Sequence, residues 1–486
     1  MLSRRTLIAG GAVIGGAALA GALSWRRKYN RKLALPLPLI PGRTHPIELK
    51  AAERPTALPC FGGHTLPMWT FAEGAWPLVI RLKLGEQLDV VMENRLPQAS
   101  EYTSIHWHGC RLPNSQDGVP YLIQQPVLPG QKFHYKFMPP DTGTFFFHTH
   151  CNTAEQLGRG LQGVVIVEGD TTEPYAADVV LFIRDWHVDL ASGQWTPFTT
   201  LRGAGRSGTY GSVRSVNGAV NPEIKLPASG DCRLRLINGD PSRIVKIAIE
   251  DGEAAIIAID GFAVQPLPFS DWTLGPAMRI DLVLRAPPPG KTATLIDRSA
   301  AGRTELAHFT GIGEPRDAGE FDPAPLHTAR VAEPDVEAAM RLNFAFERTD
   351  QGQATATLVE AAGGAALGAL CVSSNIFWSI NAQSWPGRDH AVLPAPIATL
   401  ERGKSYVFAL QNKSPFTHPI HIHGHTFKLI SSNRLSRPEH HTDTLLLLPD
   451  ETAEVAFVAD NPGNWMFHCH VIEHQENGMM SYLRVA

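Results

Sequence analysis

The sequence predicts an all-β protein made of three consecutive Greek-key β-sandwich domains, and three observations carry that prediction. Hydropathy alternates with period two, turn residues are frequent, and one sandwich-sized pattern of motifs recurs along the chain. Alternation at period two puts successive side chains on opposite faces of a strand. It is visible where Leu78, Ile80, Leu82 and Leu84 alternate with Arg81 and Lys83, and where Cys232, Leu234 and Leu236 alternate with Arg233 and Arg235. The 43 Gly and 38 Pro divide the chain into short segments with no long amphipathic helix between them.

The recurrence is gap-free over its strongest stretch. Residues 129–150, PGQKFHYKFMPPDTGTFFFHTH, align with residues 449–470, PDETAEVAFVADNPGNWMFHCH. They share Pro129/Pro449, Phe137/Phe457, Gly143/Gly463, Phe147/Phe467, His148/His468 and His150/His470. Upstream, Gly85 to Asn94 matches Gly403 to Asn412, and His106-Trp107-His108-Gly109 matches His421-Ile422-His423-Gly424. The offset of 320 residues leaves room for a third unit between the two copies. Gly230 to Asn238 fills it, repeating the Gly…Asn strand without a His-x-His pair. The expected domains are therefore 45–170, 171–335 and 336–486, the middle one without metal ligands, after a leader and linker at 1–44. Residues 351–372 and 201–211 read as flexible loops.

A chain of 486 residues is too long for one hydrophobic core, and a net charge of -4 gives no basis for nucleic-acid binding. At the N-terminus, Arg4-Arg5 precedes an uncharged run from Thr6 to Trp25, diluted by Gly10, Gly11, Gly15, Gly16 and Gly21. This resembles a twin-arginine signal, which hands folded proteins to the twin-arginine export machinery. Leu19-Ala20-Gly21-Ala22 offers small residues for cleavage, so a periplasmic mature protein is expected. The basic Arg26-Arg27-Lys28 keeps a retained membrane anchor as the alternative. Export permits disulfides among Cys60, Cys110, Cys151, Cys232 and Cys371, and a Cys110–Cys151 bridge is one open pairing.

The chemistry lies in the histidines. In a strand, His-x-His presents two imidazoles on one face, and the chain has four such pairs: His106/His108, His148/His150, His421/His423 and His468/His470. One pair is ordinary, but two in each copy of a repeated domain imply a shared metal cluster of copper, zinc or iron. Cys469 stands between His468 and His470, so its side chain points to the opposite face. With His418, His474 and Met479 it forms two imidazoles, one thiolate and a thioether, the ligand set of a blue-copper electron-transfer centre. Zinc would need no methionine and could carry no electron. The backbone of His468-Cys469-His470 then gives electrons a short covalent path from the thiolate-held metal to the histidine cluster.

The motifs HWHG, HTH, HPIHIHGH and HCHVIEHQENGM resemble those of the multicopper oxidases, and the likeness extends to Ser215-Val216-Asn217-Gly218 and Ile259-Asp260-Gly261 in the middle unit. The resemblance implies three cupredoxin-like domains and four copper ions. It puts His106 and His421 on a type 2 copper, and His108, His148, His150, His423, His468 and His470 on a type 3 pair. His418, Cys469, His474 and Met479 fall on type 1. It implies one-electron oxidation of a phenol or aromatic amine near His474 or His418, with O2 reduced to water at the cluster, in a monomer.

It also implies that Asp117, eleven residues after His106, delivers protons to the cluster; a turn aspartate is the alternative. Where bacterial relatives often carry a glutamate after the type 1 histidine, this chain has Gln475, so either Asp117, Glu473 or Glu476 compensates or oxygen-bond cleavage is slower. His425 is expected to support its neighbours rather than ligate, and His440 and His441 read as solvated loop residues, with contact to substrate or transient copper as the alternative. The nine methionines do not cluster outside Met479-Met480, which disfavours dedicated Cu(I) oxidation. Oxidation of Cu(I) or Mn(II) remains the alternative activity. A two-domain nitrite reductase is disfavoured by the third domain, and a copper-free structural role by the full ligand set.

Overall fold

The computed structural model describes residues 33–97, 101–171, 174–299, 302–317, 319–350, 376–386 and 393–486. The twin-arginine segment, the loop reading at 351–372 and Cys371 lie outside the described residues.

Strands dominate, and each of three successive stretches of chain builds two large sheets, the middle one adding a two-stranded ribbon, Val188–Asp189 with Gln194–Trp195. The first pair has four strands each, and the second and third pairs have six and five. This is the all-β architecture the alternation predicts, in the cupredoxin-like form the resemblance implies. Each unit opens with the same device, a first strand running parallel to the Gly…Asn strand. Thr44–Thr56 lies beside Gln87–Arg95, Ala177–Trp186 beside Asp231–Asn238, and Met340–Arg348 beside Ser405–Asn412.

The repeated asparagine has a physical reason. The side-chain amide of Asn94 donates to the carbonyls of Glu101 and Val127, Asn238 to those of Arg243 and Leu274, and Asn412 to those of Phe416 and Leu447. The carbonyl oxygen of each amide accepts from the backbone two residues on, at Leu96, Asp240 and Ser414. One buried side chain thus satisfies several backbone groups where strand gives way to loop, at a cost of roughly 1–3 kcal/mol for each group left unmade.

The helices are short, Thr153–Arg159 being seven residues. Among the described residues no helix is long and apolar enough to cross a membrane. Residues 201–211, expected to be a flexible loop, instead carry the helical turn Leu201–Ala204, capped by the Thr200 hydroxyl accepting from the Gly203 amide. The segment is held because it packs on the C-terminal metal motif. Cys60, Cys110, Cys151, Cys232 and Cys469 are buried free thiols, so the open Cys110–Cys151 pairing is not made. The Cys151 sulfur instead lies 3.7 Å from the Ser104 hydroxyl.

Candidate metal centre

The histidine motifs sit on paired strands. In the first unit His106–His108 runs antiparallel to Gly143–His148, with His106 opposite His148. In the third, His418–Ile422 runs antiparallel to Gly463–Cys469, with His421 opposite His468. The repeat therefore places equivalent imidazoles in equivalent register, and packing the two units together brings eight of them into one buried cage.

The cage divides into three groups. His108, His148 and His470 can each bring one ring nitrogen within 4.8 Å of the others, as can His150, His423 and His468, and also His106, His108 and His421. His423 Nε2 lies 3.0 Å from His468 Nε2, and His148 Nε2 lies 3.3 Å from His470 Nε2. Two such pairs stack face to face at 3.8 Å between centroids: His106 on His423, and His108 on His421. Burial first, and the neighbouring imidazoles second, hold His148, His150, His421, His423 and His470 well below the ordinary histidine value. They are therefore neutral near neutrality, with lone pairs available to a cation.

Each outer edge is tied down. Asp117 Oδ2 accepts from His423 Nδ1 at 2.9 Å, its Oδ1 lies 3.2 Å from His106 Nδ1, and its backbone carbonyl accepts from the same nitrogen at 3.0 Å. The opposite nitrogen, His106 Nε2, is buried without a hydrogen-bond partner, as are His108 Nδ1 and His421 Nε2. Buried imidazole nitrogens are ordinarily satisfied, so these bare atoms fit metal ions.

On the other face of the strand, Cys469 Sγ lies 3.5 Å from both His418 Nδ1 and His474 Nδ1, and these two nitrogens are 3.0 Å apart. All three residues are fully buried. His418 Nε2 is held by the Ser414 hydroxyl at 2.7 Å and His474 Nε2 by the Arg206 carbonyl, so both Nδ1 atoms face the sulfur. Burial pushes His474 down to about 3 and raises the Cys469 thiol; a bound cation would reverse the second shift and reinforce the first. Met479 is buried beside them: its carbonyl accepts from the Cys469 amide, and its amide donates to the His474 carbonyl. Trp378 lies against both imidazoles, at 4.4 Å from His474 and 5.2 Å from His418.

Every histidine named as a ligand from the sequence thus falls in one of these groups, and Asp117 is on the cage. The other two carboxylates offered for Gln475 have partners of their own. Glu473 accepts from the Thr200 amide and the Thr209 hydroxyl and amide, and burial pushes it up to about 7. Glu476 accepts from the Ala154 amide at the start of helix Thr153–Arg159. Gln475 is itself buried.

His425 has its supporting role, its Nδ1 meeting the His423 carbonyl at 3.2 Å. His440 and His441 are a correction. His440 is buried, with Nδ1 on the Pro438 carbonyl and its ring near Trp272, and His441 pairs in a strand with Lys428. His440 packs under the edge of the middle unit, a contact invisible to a local reading of a polar stretch.

Asp443, Thr444, Ser414 and Trp378 were missed. Asp443 Oδ1 accepts from His108 Nε2 at 3.1 Å, and its backbone carbonyl accepts from His421 Nδ1 at 2.7 Å. The repeat gives no signal for it, since moving back 320 residues lands on Ile123.

Two metal-competent sites sharing one Cys-flanked strand, on cupredoxin-like sandwiches, define a class of copper redox protein. Multicopper oxidase family models match residues 57–172, 177–305 and 373–486, and the chain belongs to that family. It is a copper-dependent oxidoreductase that uses O2. The multi-copper oxidase of Pseudomonas thermotolerans is similar at 39% identity and a TM-score of 0.79, over 91% of this chain and 99% of that one. Multicopper oxidase MmcO of Mycobacterium tuberculosis is 27% identical over 87% of this chain and 84% of that protein. Laccase-1 of Botryotinia fuckeliana is 27% identical over 81% of this chain and 74% of that protein.

Proposed function

We propose that this chain is a laccase-type oxidase that draws single electrons from phenols or aromatic amines and delivers them to O2 through four coppers. The observation that carries the reading is covalent. Cys469 stands in the group with His418 and His474, while its chain neighbours His468 and His470 stand in two different groups of the cage. On this reading His418, Cys469, His474 and Met479 hold a type 1 copper, and His106 and His421 a type 2 copper. His108, His148 and His470 hold one type 3 copper, and His150, His423 and His468 the other.

Bound copper supplies the one-electron steps and the reduction of O2 to water. The chain does the rest. His468-Cys469-His470 links the two sites through a few backbone bonds. The neutral imidazoles leave lone pairs directed inward, and the buried cage excludes bulk water. Asp117, facing His106 and His423, holds a proton-accepting oxygen at the cage. The Arg206 carbonyl occupies the outer edge of His474, so donors approach over the 200–209 segment. Glu473, which accepts from Thr209 of that segment, supports the second reading, a Cu(I) or Mn(II) donor, because a carboxylate beside the type 1 histidine suits a cation. The protein is exported to the periplasm by the twin-arginine route and acts as a monomer.

Oxygen uptake by the copper-loaded, leader-free protein tests this, with a simple phenol in one run and Cu(I) in another, and Cys469→Ser as control. Faster uptake with phenol, lost in the variant, is expected. Faster uptake with Cu(I) replaces the donor assignment, and uptake with neither donor overturns both.

A further inference from the structure

We propose that Arg279, contributed by the ligand-free middle sandwich, is a positioning residue for the histidine cage, acting through Asp443 on His108 and His421. The inference rests on the copper reading above and gives the middle unit a part in the metal centre.

Arg279 is fully buried on the strand Arg279–Arg285. Its guanidinium has five N–H donors, and five acceptors meet them. Nε donates to the Thr144 carbonyl at 3.2 Å. Nη1 donates to the Ala277 carbonyl at 3.0 Å and Asp443 Oδ1 at 3.0 Å. Nη2 donates to the Asp260 carbonyl at 2.8 Å and Asp443 Oδ2 at 2.6 Å. The fork therefore joins all three units, because Thr144 belongs to the first, Asp260 and Ala277 to the second, and Asp443 to the third. A lysine has neither the planarity nor the donor count to do this.

Asp443 passes that placement inward. Its Oδ1 also accepts from the Thr444 hydroxyl at 2.8 Å, and Thr444 Oγ1 lies 3.1 Å from His421 Nδ1 and 3.2 Å from His108 Nε2. With Asp443 accepting at His108 Nε2 and His421 Nδ1, the protons sit on those nitrogens. The lone pairs are left on His108 Nδ1 and His421 Nε2, the two bare buried atoms aimed into the cage.

The chain makes room for the fork. Gly109, next to His108, has φ +81, and a Cβ there would stand 2.4 Å from Asp443 Oδ2 and 2.6 Å from Arg279 Nη2. Asp117 performs the matching task for the other stacked pair without an arginine: among the described residues its ion-pair partners are His106 and His423. The cage is thus knit by two carboxylates, each tying one imidazole of the first unit to one of the third. Only Asp443 is pinned by a permanent cation.

The test compares wild type, Arg279→Met and Arg279→Lys, each loaded with copper at graded concentration. The readouts are copper per chain, the electron paramagnetic signal of non-blue copper, and the thiolate-to-copper absorption band. That band reports Cys469 and serves as the internal measure of folding. The expected result for Arg279→Met is roughly 10–100-fold weaker copper binding at the cage, with an altered or missing non-blue signal and the blue band retained. Arg279→Lys should fall between. If Arg279→Met does not fold, the lysine variant and Gly109→Ala, which crowds the same contact, decide by the same spectra. Wild-type copper content and spectra in the variants overturn the proposal, as does parallel loss of blue and non-blue signals. A wild-type protein that takes no copper at the cage overturns the copper reading as well, so the two failures are distinguishable.

Discussion

Replacing Asp117 by Asn changes one atom of a buried side chain and tests its role at the cage. Both carboxylate oxygens face imidazole N–H groups, His423 Nδ1 at 2.9 Å and His106 Nδ1 at 3.2 Å. An amide has one oxygen, so whichever way it turns, its NH2 faces one of these donors. His106 keeps the backbone carbonyl of residue 117. The amide oxygen therefore goes to His423, that bond loses its charge, and the buried NH2 is left facing the His106 N–H, together a loss of about 1.5–3 kcal/mol. That corresponds to roughly 10–100-fold in copper affinity. If Asp117 also handles protons for O2 reduction, turnover at saturating copper should fall by a further ~10²-fold or more. Competition against a graded chelator measures the first effect, and oxygen uptake by the fully loaded variant measures the second. Unchanged affinity refutes the hydrogen-bond argument, and unchanged turnover at full loading refutes the proton role.

Burial lowers His440 to about 4, so it stays neutral in the folded chain while an unfolded histidine protonates near its ordinary 6.5. The unfolded state then binds the extra proton, so stability is unaffected above about pH 6.5 and falls as pH drops towards 4. The loss reaches about 3 kcal/mol. His440→Gln should flatten that fall in urea titrations at about pH 7 and about pH 4.5, and parallel losses in both proteins would count against it. Gly424 has φ +64, and a Cβ there would stand 2.2 Å from the Trp465 ring. Gly424→Ala should therefore cost about 2–5 kcal/mol and lower Tm, whereas an unshifted melt contradicts the close packing. Stripping copper with a chelator should lower Tm by the lost binding free energy, about 2.7 kcal/mol at a hundredfold excess over Kd, and copper should restore it. A melt indifferent to copper argues against metal held in the native cage.

Much of the site was legible because its rules are local. Strand geometry alone puts His106 and His108 on one face and Cys469 opposite His468 and His470, whatever surrounds them. The gap-free repeat carried that geometry to both ends of the chain. The recurring Gly…Asn strand marked three units, since Asn94, Asn238 and Asn412 each close the same turn.

Tertiary structure decided what depends on one unit meeting another. The alternation at Arg233 and Arg235 is that of a strand, yet both guanidiniums are buried. Arg233 pairs with Asp170 and Asp281, and Arg235 with Asp178. The polar face of that strand meets neighbouring chain rather than water, and hydropathy cannot tell these apart. Residues 201–211 are ordered by Glu473 and His474, more than 260 positions away. Asp443 and Arg279, 164 residues apart, have no shared motif and become partners only when the sandwiches close around the cage. The sequence by itself determined which residues share a strand face and which motifs recur, because backbone periodicity acts over two or three residues. Which charges are buried together was left to packing between the units, where a carboxylate removed from water must find its cation wherever the fold brings one.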